Sequence, residues 1–154
     1  MLTEEEQEEI DAAVAMSGRN RAACIDAMMS VQQHRGWLSD ETLADIADYL
    51  RLTPAELDSV ATFYNLIFRQ PVGRHVILVC DSVSCWLLDY ETLLEHLKSK
   101  LGVEVGGTTE DGRFTLLTSV CLGACDLAPV MMVDGTQYGN LTPEKIDAIL
   151  GECK

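Results

Sequence analysis

Basic residues are scarce in this sequence of 154 residues. Lys and Arg total 11 against 25 Asp and Glu, so the formal net charge is −14 at pH 7. A surface with this charge repels phosphate, which argues against nucleic acids and anionic membranes as partners. Hydrophobic residues make up 47% of the chain and charged residues 23%, a balance typical of a globular protein.

Long hydrophobic runs are also missing. The longest run, 127–133, has seven residues and contains a proline, whereas a membrane-spanning helix needs about 20 apolar residues. The N-terminus, MLTEEEQEEID, has neither the basic nor the apolar segment of a secretory signal. We therefore expect a cytoplasmic protein that does not insert into a membrane, whose thiols stay free or hold metal.

Several motifs of redox enzymes are absent. None of the 11 glycines forms a G-x-G-x-x-G fingerprint or a P-loop, so we expect no nucleotide-binding site in this chain. No C-x-x-C pair of the thioredoxin dithiol type occurs. The scattered His34, His75 and His96 argue against a His-containing Rieske-type centre. Any hydride transfer must therefore take place in another chain.

The first 70 residues have the pattern of four short helices. Thr3 with Glu6, and Thr53 with Glu56, have the spacing of capping boxes at the start of the first and fourth helices. The second helix is expected over about residues 20–33, where apolar residues recur at helical spacing. Four short helices imply a small bundle.

After residue 70 the pattern changes to alternating strands and helices. The expected elements are a strand over 75–80, a helix over 90–101, a strand over 114–120 after an Asp111-Gly112 hairpin turn, a hairpin around Asp134-Gly135, and a helix after Thr142. The sequence therefore predicts an α+β protein. A helical bundle domain is expected over residues 1–72, followed by a small domain of thioredoxin-like arrangement over residues 73–154.

Four of the six cysteines form two close pairs. Cys80 and Cys85 have four residues between them, and Cys121 and Cys125 have three. Each pair begins where a predicted strand ends, so both pairs are expected on loops at one edge of the sheet. Four converging thiolates suit a [2Fe-2S] cluster, but tetrahedral zinc takes four as well.

The spacing favours the iron–sulfur cluster. Structural zinc is usually held by cysteines two residues apart, whereas the wider gaps in this chain form loops that surround a larger group. A zinc site, disulfides or unligated thiols stay open as alternatives on spacing alone. Cys24 and Cys153 stand apart and are interpreted as a buried small side chain and a tail thiol.

The cysteine motifs and their flanks resemble a known family. The matching stretches are 62–64 (TFY), 70–75 (QPVGRH), 79–85 (VCDSVSC), 111–115 (DGRFT) and 121–129 (CLGACDLAP). Together with the helical first half, they make nearly the whole chain similar to the thioredoxin-like [2Fe-2S] subunit of bacterial NADH-quinone oxidoreductase, respiratory complex I. The resemblance implies that Cys80, Cys85, Cys121 and Cys125 ligate one [2Fe-2S] cluster.

The resemblance also implies a function. A protein of this family exchanges single electrons with the FMN of a partner subunit that binds NADH, and its cluster lies off the main chain of clusters leading to quinone. It is part of an enzyme without a complete active site of its own, and it is peripheral to the inner membrane through its complex. Alternatives are the equivalent subunit of a soluble NAD-linked hydrogenase or formate dehydrogenase, or a zinc-binding adaptor.

Residues beside the cysteines are expected to tune the cluster. Asp81 and Asp126 place negative charge nearby and disfavour an added electron, whereas Ser82, Ser84 and loop amides donate hydrogen bonds to sulfur and favour it. Gly123 suits a loop position with positive φ or close backbone approach to sulfur.

Two further positions invite comparison with the family. Trp86 stands where histidine is frequent in the family, and we interpret it as a hydrophobic shield or an interface residue. Ala128-Pro129 is similar to the cis-proline site of thioredoxin-like folds, although a proline that simply opens a strand is the alternative.

Overall fold

The computed structural model describes residues 1–153. The chain divides into two compact units, Met1–Pro71 and a second that begins at Val72. This division lies one residue before the expected boundary between residues 72 and 73. That each unit is an independent domain stays a prediction.

The first unit consists of four helices. They are α1 (Glu4–Ser17), α2 (Cys24–Arg35), α3 (Asp40–Tyr49) and α4 (Pro54–Ala61). Both expected capping boxes are present, with Thr3 and Glu6 at α1 and Thr53 and Glu56 at α4. The expected start of the second helix near residue 20 is wrong, because the chain first makes a turn in which the Ala23 N–H bonds to the Asn20 carbonyl.

The apolar faces of these helices meet in one core. Ile10, Met28, Leu38, Ile46 and Leu57 are each fully buried there. Burying a side chain of this size stabilises the fold by about 1.5–3 kcal/mol. The unit is therefore held mainly by its own hydrophobic core.

One charged pair lies at the edge of this core. Glu6 is only 1% exposed, and Arg35 binds its carboxylate with both nitrogens of a fork, at 2.6 Å and 2.7 Å. This pairing holds the pKa of Glu6 at about 2, well below its ordinary value of 4.5. The carboxylate is therefore ionised at any pH above about 3.

The second unit is a four-stranded sheet with helices. Its elements are β1 (His75–Cys80), α5 (Val83–Leu87), α6 (Tyr90–Leu101), β2 (Phe114–Ser119), a 3₁₀ turn (Cys125–Leu127), β3 (Met131–Val133), β4 (Thr136–Tyr138) and α7 (Pro143–Glu152). The strand order is β2-β1-β3-β4. β1 and β2 are parallel, and β3 is antiparallel to both β1 and β4. The predicted α+β class is confirmed.

Two local predictions in this unit are wrong. The segment after Cys80 contains the short helix α5 in place of a plain loop. Asp111-Gly112 does not join two paired strands, because within residues 1–153 only a single bridge, Thr108 to Thr115, precedes β2. The hairpin around Asp134-Gly135 is present as predicted.

The sheet packs against its helices through a second core. Ile77, Leu97, Leu116, Met131 and Ile146 are fully buried in it. Residues 1–153 include no helix that is both long enough and apolar enough to cross a membrane.

Candidate metal centre

The parallel strands bring both cysteine pairs to one edge of the sheet. Cys80 is the last residue of β1 and lies opposite Ser119, the last residue of β2. Cys121 follows β2 after one intervening residue, Val120. Because the carboxyl ends of parallel strands meet at the same edge, the segments that carry the two pairs leave the sheet side by side.

The first pair is enclosed. Cys80 is 3% exposed and Cys85, on α5, is 1% exposed. Both pack with Ala128 and Val130 in a small apolar cluster. Burial is the main cause that raises the pKa of the Cys85 thiol to about 11, and the neighbouring Cys80 thiol adds to it.

The second pair is open to solvent. Cys121 and Cys125 are both exposed, and their sulfurs lie 3.7 Å apart. The Gly123 N–H donates to the Cys121 sulfur at 3.4 Å, and it is the main cause that lowers the pKa of the Cys121 thiol. The pKa of Cys125 is raised, because its thiol bonds to Cys121 and is close to the charge that Cys121 carries.

The two pairs influence each other. Hydrogen bonding from Cys80 and Ser82 contributes to the lowered pKa of Cys121. Ser84 lowers the pKa of Cys125 in the same way, although this is a smaller effect than that of Cys121. The Cys80 thiol also donates to the carbonyl of Val120 at 3.8 Å. The four thiols therefore share one neighbourhood, and Ser82 and Ser84 act there as the sulfur donors that the sequence suggests.

The spacing of the sulfurs fits a binuclear cluster better than one metal ion. Four sulfurs around a single zinc at about 2.3 Å would all lie within about 4 Å of one another. In residues 1–153 the ligand atoms of Glu5, Glu9 and His34 form a trio within 4.8 Å, but no trio of the cysteine sulfurs does. A separation of 3.7 Å within one pair suits two ligands of the same iron, and the wider spread suits a second iron.

All six cysteines are free in the part of the chain that the structure describes. Cys24 is 7% exposed and belongs to the helical core. The Cys153 thiol donates to the carbonyl of Ile149 at 3.4 Å. These two thiols take part in local packing and are not in the four-cysteine site.

The loop of the second pair is braced from outside. The Gln137 side chain donates to the carbonyl of Leu122, and the Asn140 N–H donates to the carbonyl of Leu127 at 2.5 Å. At Gly139 an added Cβ would lie 2.8 Å from the Leu127 oxygen and would also meet the Leu127 side chain. The sequence analysis missed these braces, since an exposed glutamine and a glycine near a strand end carry no distinctive pattern.

The remaining predicted positions are also in place. Gly123 has a φ of +78°, and the Ala128-Pro129 peptide is cis. Trp86 is 56% exposed, and its indole N–H donates to Glu91 at 3.4 Å. Val83, Leu87 and Leu88 are also more than half exposed, so α5 presents an apolar surface to solvent.

A thioredoxin-like sheet that brings four cysteine thiols to one edge, too far apart for one metal ion, defines a protein of the iron–sulfur class. The family model for the thioredoxin-like [2Fe-2S] ferredoxins matches residues 10–154. The chain belongs to this family, and its cofactor is a [2Fe-2S] cluster, as the sequence resemblance implies.

Individual relatives agree with this assignment. The chain is 49% identical over 134 residues to a subunit of the NADH-quinone oxidoreductase of Escherichia coli strain K12, covering 87% of this chain and 81% of that protein. It is 41% identical over 150 residues to the subunit of the same name from Pseudomonas aeruginosa, covering 97% and 90%.

A solved structure of an NAD+-reducing [NiFe]-hydrogenase is also similar. Its TM-score is 0.70 at 27% identity, over 82% of this chain. The match spans only 22% of that hydrogenase chain, so it concerns one part of a larger polypeptide.

Proposed function

We propose that this chain is the thioredoxin-like electron-transfer subunit of an NADH-quinone oxidoreductase. Identities of 41–49% to subunits of that enzyme, over most of both chains, support this assignment. The observation that carries it in the structure is the meeting of four cysteine thiols at one sheet edge. In this function Cys80, Cys85, Cys121 and Cys125 are the four ligands.

The chain's own residues would hold and shield the cofactor. The buried Cys80 and Cys85 fix one side within an apolar cluster that excludes water. The exposed Cys121 and Cys125 leave the other side close to the surface. A [2Fe-2S] cluster accepts and returns one electron at a time, which is what a flavin requires when it divides the electron pair of a hydride.

A flavin- and NADH-binding subunit is the proposed partner. Val83, Trp86, Leu87 and Leu88 expose apolar surface beside the ligand Cys85, and such surface is typical of a protein interface. A partner seated there would stand close to the cluster. Through that complex the chain would be peripheral to the inner membrane on its cytoplasmic side.

The corresponding part of an NAD-linked hydrogenase is the second candidate. The structural similarity to the hydrogenase supports it, but its identity of 27% is below the 41–49% of the quinone oxidoreductase subunits. The two candidates share the cluster and the flavin partner, and they differ in what receives the electrons.

Coexpression with the flavin-binding subunit of the same organism tests the proposal. We expect a one-to-one complex in which NADH produces the electron paramagnetic resonance (EPR) signal of a reduced [2Fe-2S] cluster in this chain. The Cys121→Ser variant should lose that signal, whereas Cys153→Ser should keep it. A complex whose flavin is reduced by NADH while this chain gives no such signal would contradict the proposal.

A further inference from the structure

A hydrogen bond from outside the second cysteine loop holds that loop. Gln137 lies in the edge strand β4, and its side-chain amide donates to the carbonyl oxygen of Leu122. Its backbone is fixed opposite Met132 of β3. The sheet therefore holds an amide donor against the loop between Cys121 and Cys125.

The carbonyl that Gln137 contacts belongs to the peptide group joining Leu122 to Gly123. The N–H of the same peptide group donates to the Cys121 sulfur at 3.4 Å. One peptide group thus accepts a hydrogen bond at one end and donates to a proposed ligand at the other. Linked hydrogen bonds polarise one another, by about 10–30% per bond, so Gln137 strengthens the contact to sulfur.

The loop itself does little to fix the direction of this peptide group. Gly123 has a φ of +78°, and a Cβ placed there would meet nothing within 4 Å. A glycine in open space can rotate and turn the N–H away from the sulfur. The restraint on the peptide group therefore comes from its oxygen, where Gln137 binds.

The contact to sulfur affects the added electron. Reduction transfers one electron, from the partner's reduced flavin in the proposed function, and adds one negative charge to a cluster held by four thiolates. Hydrogen bonds to the ligand sulfurs stabilise that charge and raise the reduction potential.

We propose that Gln137 is a positioning residue that keeps the Gly123 N–H on the Cys121 sulfur and thereby raises the reduction potential of the cluster. This inference rests on the proposed function, because it requires Cys121 to be a ligand. Gln137 acts through the Leu122–Gly123 peptide group, without touching the sulfur itself.

Potentiometric titration followed by EPR tests this on the full chain with its cluster, with dithionite as reductant. Gln137→Met keeps the length and charge of the side chain but removes the donor. At a fixed potential we expect the ratio of reduced to oxidised cluster to fall about threefold, which is about 28 mV at 59 mV per tenfold change. Gln137→Glu, of the same shape, should lower the ratio further, because a carboxylate repels the carbonyl and adds negative charge.

Thr136→Val is the matched control, since Thr136 is an exposed neighbour on the same strand. It should leave the potential unchanged. Full iron content with unchanged potentials in both Gln137 variants would overturn the inference. Loss of the cluster from both variants, while Thr136→Val stays fully loaded, would also overturn it, because Gln137 would then serve assembly.

The iron content of the unaltered chain separates this inference from the proposed function. A parent protein with no iron and no EPR signal would contradict the proposed function itself. A parent protein with a normal signal and variants of unchanged potential would contradict only the role of Gln137.

Discussion

The two cysteine pairs occupy opposite environments. Cys80 and Cys85 are at most 3% exposed and lie on a strand end and a helix. Cys121 and Cys125 are exposed, on a loop and a 3₁₀ turn held by contacts from β4 and the segment after it. The difference indicates a division of roles in which the buried pair anchors the cofactor and the exposed pair controls access and tuning.

Removing a buried ligand should have the largest effect. Cys85→Ser is expected to abolish cluster binding, because the hydroxyl is a poor iron ligand and the enclosed site admits no substitute. Cys121→Ser should retain a small, labile fraction, since solvent reaches that side. Iron and sulfide quantitation after anaerobic reconstitution measures both.

Cys153→Ser is the control for these variants, because its thiol bonds to Ile149 away from the site. It should keep the full iron content. A Cys85→Ser protein with full iron and an unchanged spectrum would remove that residue from the ligand set.

Thiol alkylation of the cluster-free protein compares the pairs directly. Cys121 and Cys125 should react with iodoacetamide at least about a hundredfold faster than Cys80 and Cys85, because alkylation needs an accessible thiolate. The pKa of Cys121 is lowered and that of Cys85 is raised to about 11, which widens the difference set by exposure. Peptide mass spectrometry at successive times gives the rates, and equal rates would contradict the structural contrast.

A change in the helical unit tests whether the contrast is local to the cysteine site. The pKa of Glu6 is about 2 in the folded chain, against an ordinary 4.5. Its contribution to stability is therefore complete above pH 4.5 and is lost as the pH falls towards 2. At pH 7, Glu6→Gln should lower the free energy of unfolding by about 2–3 kcal/mol, and this deficit should shrink towards zero near pH 2.

Urea unfolding followed by Trp37 fluorescence, in a Trp86→Phe background, measures this effect in the helical unit. Glu8→Gln, an exposed change on the same helix, is the control and should change stability little. A deficit for Glu6→Gln that is constant from pH 7 to pH 2 would contradict the ion-pair explanation. The alkylation rates of the two cysteine pairs should be unaffected by either change.

A smaller effect should come from the loop brace. Gly139→Ala forces a Cβ against Leu127, next to the turn that carries Cys125, and overpacking of this kind costs about 1–3 kcal/mol. The chelator-driven loss of iron should become faster. Gly151→Ala, at a helical glycine with open space around it, should leave iron release unchanged and increase stability by up to about 1 kcal/mol.

Thermal unfolding and iron release, measured together, distinguish these two glycines. If Gly139→Ala released iron as slowly as Gly151→Ala, the segment after β4 would not support the second pair.

Local patterns predicted much of this molecule. β1 and α6 match the expected bounds because each is a complete periodic segment between clear end signals, and the caps at Thr3 and Thr53 rest on contacts only three residues apart. The four cysteines were identified by their spacing and by the family resemblance.

Features that depend on tertiary structure were not predictable. The helix α5 has five residues, too few to show helical periodicity. The contact from Gln137 to Leu122 joins residues 15 positions apart and depends on the register of an edge strand. The unequal burial of the two pairs depends on how Ala128 and Val130 return to cover Cys80 and Cys85, which the cysteine spacing does not encode.

The most direct test of the central claim is quantitation of iron, sulfide and zinc in the anaerobically reconstituted chain, together with a redox-titrated EPR spectrum. The account predicts a red-brown protein with two irons and two sulfides per chain and a single [2Fe-2S] signal on reduction. A colourless protein that holds one zinc per chain and takes up no iron would contradict it.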